Sequence, residues 1–368
     1  MRVEWMIYAY GTVCISLIVF NIIYNVSLRR SEPRLERRCH RIRAKMDEQL
    51  GRLSQGQKVD EKHLDYLSSK LKRVKNLIAF DRVLQSFPRG DKTAEAYFQQ
   101  IQPIILHLAV IYRRREVMQA AYFSYLLSQY MTTRQMPVDS LQEILLDYVR
   151  KDNLYCRVNA LEALYTIGTP RSILRALEIQ DSDSVFIHEK ILTEGLLTYT
   201  GNHDELIELL WARLDSFSVR TQLAILNYIR FETGNYAQEM FSIMMDQSRD
   251  KELRLSAIRY FGKYAYQPAL PPLLAFAAEK DPAQWEYAAI SVSSLARYPG
   301  PEVVQQLKEA LHSSNWYVRY NASLSLEALH IDYSELIDVV AGNDRYAREM
   351  MMYRLENRAV QKGEKVSP

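Results

Sequence analysis

One phrase constrains this chain more than any other property of it. Residues 315–329 read NWYVRYNASLSLEAL: an aromatic pair, then Val-Arg, then small residues, then leucines. The same arrangement stands at 153–168 (NLYCRVNALEALYTIG), 216–231 (SFSVRTQLAILNYIRF) and 251–266 (KELRLSAIRYFGKYAY). Weaker copies lie at 281–298 and 344–356, and a degenerate one at 183–199. The marker arginines are Arg157, Arg220, Arg254, Arg319 and Arg348; Glu189 and Glu286 keep the spacing where the arginine is missing. Successive markers are 29 to 34 residues apart. A period of this length marks stacked supersecondary units, none of which can bury its apolar face alone.

Each copy follows a second amphipathic segment, such as SLQEILLDYV (140–149), HDELIELLWARL (203–214) or PEVVQQLKEAL (301–311). Turns rich in Gly and Pro, IGTP (167–170) and YPGP (298–301), separate the two, as helix stop and start chemistry requires. The repeating unit is therefore helix–turn–helix, about thirty residues long, running from 140 to 356. Only 12 of 368 residues are glycine, and 48% are hydrophobic, which suits helices with ample core. Within the phrase, Asn321, Ala322 and Ser323 allow close helix approach, Val318 anchors the helix start, and Leu324, Leu326 and Leu329 supply core. Asn315, Asp152 and Asp215 are placed to cap helices while the marker arginines bridge units.

This Asp…Val-Arg…Ala…Ala-Leu pattern resembles HEAT repeats, in particular the short HEAT-like repeats of phycobilisome lyase subunits. The resemblance covers about 140–356, with the arginine missing from two copies. It implies an all-α fold, an α-solenoid, whose second helices line a concave face that binds other proteins. Residues 60–139 are helical but fit the repeat poorly, and read as divergent repeats with an N-terminal cap. The tail, 357–368, is too polar and short to pack and reads as disordered.

Ahead of the repeats, Trp5 to Leu28 runs 24 residues without a charge. As a helix it would be roughly 36 Å long, enough to cross a ~30 Å hydrocarbon core with some tilt. Residues 1–28 thus read as a transmembrane anchor, with Trp5 and Tyr24 at its two interfaces. Residues 29–45 carry eight Lys/Arg against two Glu. Arg29, Arg30, Arg34, Arg37 and Arg38 would face anionic lipid, and the positive-inside bias puts the N-terminus outside and the repeats in the cytoplasm. Asn21 and Asn25 share one face of the span and are candidates for contact with a partner helix. Residues 29–59 form a basic amphipathic helix and hinge, with Leu35, Cys39, Ile42, Met46, Leu50 and Leu53 on one stripe. Its apolar face fits a second helix, the membrane surface or the following domain.

Residues 1–58 hold 11 Lys/Arg against 5 Asp/Glu, whereas residues 59–368 hold 36 against 39. The repeats therefore lack the broad basic balance of a nucleic-acid binder, and no nucleic-acid partner is expected. Three widely spaced cysteines form neither a disulfide framework nor a metal motif. No phosphate loop, HExxH, GxSxG or kinase signature is present. His107, in an apolar stretch, reads as a core histidine. No catalytic residue, cofactor, metal or small-molecule ligand is expected.

The candidate partner surface is the row of second helices: Arg230, Arg259, Lys263, Arg297 and Glu327, with Tyr165, Tyr228 and Tyr264 between them. Tyrosine and arginine combine large contact area with directional bonds. The expectation is a membrane-tethered docking scaffold, not an enzyme, accessory to a membrane enzyme assembly. The alternatives are a lyase or isomerase like the phycobilisome subunits, or an adaptor for anionic lipid.

Overall fold

The structure is a computed structural model. It describes residues 2–88, 92–130, 139–182 and 185–361, without the side chains of 2–4, 6, 7, 9, 26–30 and 356–361. The described residues are helical throughout, with no strand among them. The chain divides into two compact units, 1–185 and 186–368. The division falls inside the 140–356 stretch.

The first unit contains α1 (Arg2–Ser54), α2 (Glu61–Lys70), α3 (Val74–Leu84), α4 (Lys92–Arg113), α5 (Val117–Tyr130), α6 (Asp139–Val149), α7 (Leu154–Ile167) and α8 (Pro170–Ser182). Helices α2, α4, α6 and α8 follow one another in one layer, and α1, α3, α5 and α7 in the other. Helices α2 to α5, in the described part of residues 60–139, thus continue the same two layers.

The apolar and basic segments form one unbroken helix, not two. The sequence contains no helix-stopping Gly between them, and Pro33 is carried within α1. The stripe predicted on this segment lies against α3 and α4: Ile42 and Met46 are buried, and the Cys39 thiol meets the Ala79 carbonyl at 3.7 Å. Burial raises the Cys39 thiol above its ordinary value. Of the three settings this stripe suits, the following domain is the one it occupies. The expected hinge is a pinned loop. Val59 N–H donates to Gln100 Oε1 at 2.6 Å and Asp60 N–H to Gln49 Oε1 at 2.8 Å.

The second unit contains α9 (Glu189–Leu197), α10 (His203–Ala212), α11 (Val219–Glu232), α12 (Ala237–Met245), α13 (Lys251–Phe261), α14 (Leu270–Ala277), α15 (Trp285–Ser294), α16 (Pro301–Ala310), α17 (Trp316–Ala328), α18 (Ile337–Val340) and α19 (Arg345–Gln361). Helices α9, α11, α13, α15, α17 and α19 stand side by side in that order, and each even-numbered helix from α10 leans on the odd-numbered one after it. Helix α19 continues to Gln361, past the predicted start of the tail at 357; residues 362–368 lie outside the described residues.

Side-chain-to-carbonyl bonds join neighbouring units. Asn321 Nδ2 donates to Ala289 O at 2.8 Å, Ser325 Oγ to Val292 O at 2.9 Å and Ser294 Oγ to Ile258 O at 3.0 Å. These small polar side chains let the second helices approach closely while leaving no polar atom stranded. Ala322, Ser323 and Leu326 are buried as the phrase requires, whereas Leu324 and Leu329 are only half-buried.

The caps are partly displaced from their predicted positions. Asn315 accepts from Tyr317 N–H, but Asn153, not Asp152, caps α7, and Asp215 pairs with Arg249 of the next unit. The marker arginines also do more than bridge units. Arg157, Arg319 and Arg348 each donate to the backbone carbonyl six residues back, closing the turn ahead of their own helix. Bridging is by cation–π contact: Arg254 stands over Tyr287 at 5.0 Å and Arg319 over Tyr346 at 5.3 Å.

Candidate functional site: a cationic groove on the second helices

In the 186–368 unit, Phe231 of α11, Lys263 just past α13, and Ser293 of α15 are exposed near the ends of their helices. Gly262 sits at the end of α13, where an added Cβ would stand 3.0 Å from Ser294 Oγ, so these two helices meet closely there. Beside this contact lies a groove of about 540 Å³ lined by Arg230, Phe231, Arg259, Lys263, Ile290, Ser293 and Asn321. Arg297 adjoins it, its Nε donating to the Gly262 carbonyl at 3.3 Å.

The cations are held in place. Lys263 Nζ donates to the Phe231 carbonyl at 2.8 Å and lies 5.6 Å from that ring's centroid, with the Arg230 guanidinium 4.7 Å away on the same ring. Burial, and then the Arg259 guanidinium, pull Arg230 below the usual arginine value. Burial does the same to Arg259, against a weaker pull from Glu252. Among the described residues, no carboxylate forms an ion pair with any of the four. Arg230 Nε is buried without a hydrogen-bond partner. The arrangement can hold an anion; among the described residues no cluster of His, Cys, Asp and Glu is fit for a metal.

The structure thus brings Arg230, Arg259, Lys263 and Arg297 together. Tyr264 stays beside them, its ring centroid 5.2 Å from Lys263 Nζ. Tyr165 and Tyr228 are core residues, 2% and 0% exposed, and not part of any surface. Tyr228 hydrogen-bonds His203 Nδ1 at 2.7 Å. Tyr264 is half-buried against Tyr260, and Glu327 is taken up by Arg354 at 3.7 Å. The buried tyrosines form a series. Tyr260 OH accepts from Tyr236 N–H and Tyr298 OH from Tyr266 N–H, each ahead of the first helix of its own unit. A hydroxyl that caps the paired helix needs a buried position, and an amphipathic ring gives no sign of this in sequence.

Sequence reasoning missed Phe231, Ile290, Ser293 and Asn321, although the repeat spacing places them on the same edge as the cations. It also passed over an exposed aromatic cluster at the start of α15 and α17. There Trp285 stacks on Tyr317 at 5.4 Å and Trp316 on Tyr320 at 4.8 Å, with Trp316 and Tyr317 about half exposed.

At the other end of the chain, the side chains of Trp5 and of Tyr10 to Asn25 are exposed or half-exposed all round α1. Asn25 Nδ2 donates to Asn21 Oδ1 at 2.5 Å, so this pair is bonded within its own helix. Arg34 and Arg37 are exposed and Arg38 half-exposed; the side chains of Arg29 and Arg30 lie outside the described residues. Among the described residues, no helix is long and apolar enough to cross a membrane. Within the predicted span of 5–28, the side chains of 6, 7, 9 and 26–28 are not described. His107 is exposed, contrary to expectation; the buried histidine is His63, 2.7 Å from Tyr97 OH.

No curated protein matches the chain. Residues 237–327, which carry α12 to α16 and nearly all of α17, match the family model described as HEAT repeats. This part of an all-helical, solenoid-like fold is therefore built of a repeat that generally mediates contact between proteins.

Proposed function

We propose that the protein is a membrane-tethered docking scaffold, not an enzyme, that holds a protein partner near the bilayer as an accessory subunit of a membrane assembly. The observation that carries this reading is the continuity of α1. Val13, Ile15, Leu17, Ile18, Val19, Phe20, Ile22 and Ile23 are all exposed, on every face of the helix. A helix apolar all round needs a non-aqueous surround. The same helix then buries Ile42 and Met46 in a helical stack. Arg34, Arg37 and Arg38 follow the apolar stretch and suit an anionic inner leaflet, with the repeats on that cytoplasmic side. The HEAT match supports the docking half, since such stacks present long rows of helices to other proteins.

The test is alkaline carbonate extraction of native membranes holding the full-length chain, beside a chain lacking residues 1–28. The boundary matters, because removal of residues up to 58 would also strip Ile42 and Met46 from the core. The full-length chain should stay with the membrane pellet and co-purify with a partner in mild detergent. A full-length chain that is released by carbonate, or that purifies alone, sinks the reading.

A further inference from the structure

The cationic groove says what kind of partner this scaffold takes, and the inference rests on the docking reading above. The geometry points to an extended acidic segment of a partner protein, lying across α11, α13 and α15. Its carboxylates would meet Arg230, Arg259, Lys263 and Arg297 in turn, with an apolar side chain on Phe231.

Charge is the first argument. Residues 59–368 carry more Asp/Glu than Lys/Arg, 39 against 36, yet four cations gather here without a paired carboxylate among the described residues. Arg230 and Arg259 repel one another in a partly desolvated setting, and Arg230 Nε is buried without an acceptor. A carboxylate between them would relieve the repulsion. Charge-assisted bonds to guanidinium are strong and directional, and here the cations are already fixed: Lys263 by the Phe231 carbonyl and Arg297 by the Gly262 carbonyl. Little side-chain freedom remains to be lost on binding.

Shape is the second. Neighbouring packed helices lie about 8–10 Å apart, so the cations on three successive second helices span roughly 20 Å. An extended chain rises about 3.3 Å per residue and covers that distance in about six residues. Its side chains alternate, so acidic positions can face the cations while an apolar one lies on Phe231, which is 48% exposed, or on Ile290. A polyphosphate or a lipid headgroup would use the cations but leave that apolar floor in water. A nucleic acid would further need a basic face beyond the groove, and the surrounding balance is acidic.

The test uses the full-length protein in neutral detergent. The ligand is a fluorescein-labelled octapeptide of Asp and Glu with a central Leu-Phe; the control peptide has Asn and Gln in place of the acids. Fluorescence anisotropy at low salt should show binding of the acidic peptide alone. The double variant Lys263→Glu/Arg297→Glu should bind at least tenfold more weakly. Lys62→Glu/Lys72→Glu, exposed and outside the groove, makes the same change in net charge and should bind like the native protein. Circular dichroism melts check that both variants fold; if the groove variant does not, Lys263→Gln/Arg297→Gln takes its place, with weaker binding again expected.

Equal binding of the acidic and amide peptides overturns the proposal, as does undiminished binding by the groove variant. So does displacement of the peptide by soluble short-chain phosphatidylserine at lower concentration than by unlabelled peptide, which would assign the cations to a headgroup. A native partner retained by both the native protein and the groove variant would leave the docking reading standing and remove this groove as its seat. Absence of any partner for the native protein removes the docking reading itself.

Discussion

Arg157 and Lys151 are tied by a 2.6 Å hydrogen bond from the guanidinium Nε to the backbone carbonyl, and the same six-residue reach joins Arg319 to Ser313 and Arg348 to Gly342. The most telling letter of the repeat phrase is thus a turn clasp. Arg157 is also 1% exposed and meets Gln180 Oε1 at 3.3 Å. Replacing it by Met would leave buried acceptors without a donor, at about 1–3 kcal/mol each. Arg157→Met is expected to lower stability by about 3 kcal/mol, and Arg319→Met, at a half-exposed site, by less. Urea unfolding followed by circular dichroism checks this. Equal losses at the two sites would mean that burial around Arg157 contributes nothing.

His63 makes the first unit sensitive to acid. Burial, with Lys45 adding to it and Glu48 and Asp60 opposing, lowers its pKa from 6.5 to about 4. The folded state therefore binds fewer protons than the unfolded chain between those values. Stability is full above about 6.5, falls as pH drops, and has lost up to about 3 kcal/mol by pH 4. In His63→Gln, which keeps a hydrogen-bonding group toward Tyr97, the melting temperature should vary less with pH in that window. If native and variant curves run parallel between pH 6.5 and 4, His63 is not the source.

Gly168 closes α7 where a side chain has no room. A Cβ there would strike the Leu164 carbonyl oxygen and come within 2.8 Å of Ser172 Oγ. Gly168→Ala should cost about 1–3 kcal/mol, since the obstruction includes backbone. The opposite holds at Gly300, where nothing lies within 4 Å of the added atom. Gly300→Ala should leave the denaturation midpoint nearly unchanged, and the contrast between the two is the measurement.

The tether reading makes a prediction of its own. Ile18 is 59% exposed near the middle of the apolar stretch of α1. A lysine at the centre of a membrane helix costs about 2.5–3.5 kcal/mol. Ile18→Lys should therefore shift much of the chain from the membrane pellet to the supernatant, while Ile18→Leu does not. Identical partitioning of both variants would refute insertion of this segment.

The period was legible because stacking enforces it. Each unit must present the same small residues, Asn321 or Ser325, to the carbonyls of its neighbour, so the phrase survives wherever stacking does. Burial of tyrosine was not legible. Tyr228 and Tyr264 look alike in sequence, yet one caps a histidine from the core and the other lies at the surface, because the distinction depends on what faces the hydroxyl. The groove was read in part. Its cations stand out in a chain of acidic balance, but Phe231 and Asn321 join them only through helix neighbours about thirty residues away. The fate of the α1 stripe was open for a like reason: amphipathicity says that a face is covered, never by what.

The unbroken course of α1 has a mechanical consequence. Tyr24 and Ile42 are separated by about 27 Å of continuous helix in which Pro33 is the one weak point, and from Ile42 onward the helix is set into the first unit. A rod clamped at one end transmits rotation to whatever holds it. Were the apolar segment to sit in a bilayer, a change in its lean, as when the bilayer thins or thickens, would be passed to the first unit, less whatever bend Pro33 absorbs. The tether would then act as a lever that fixes how the helical stack faces the membrane as well as how far from it the stack stands.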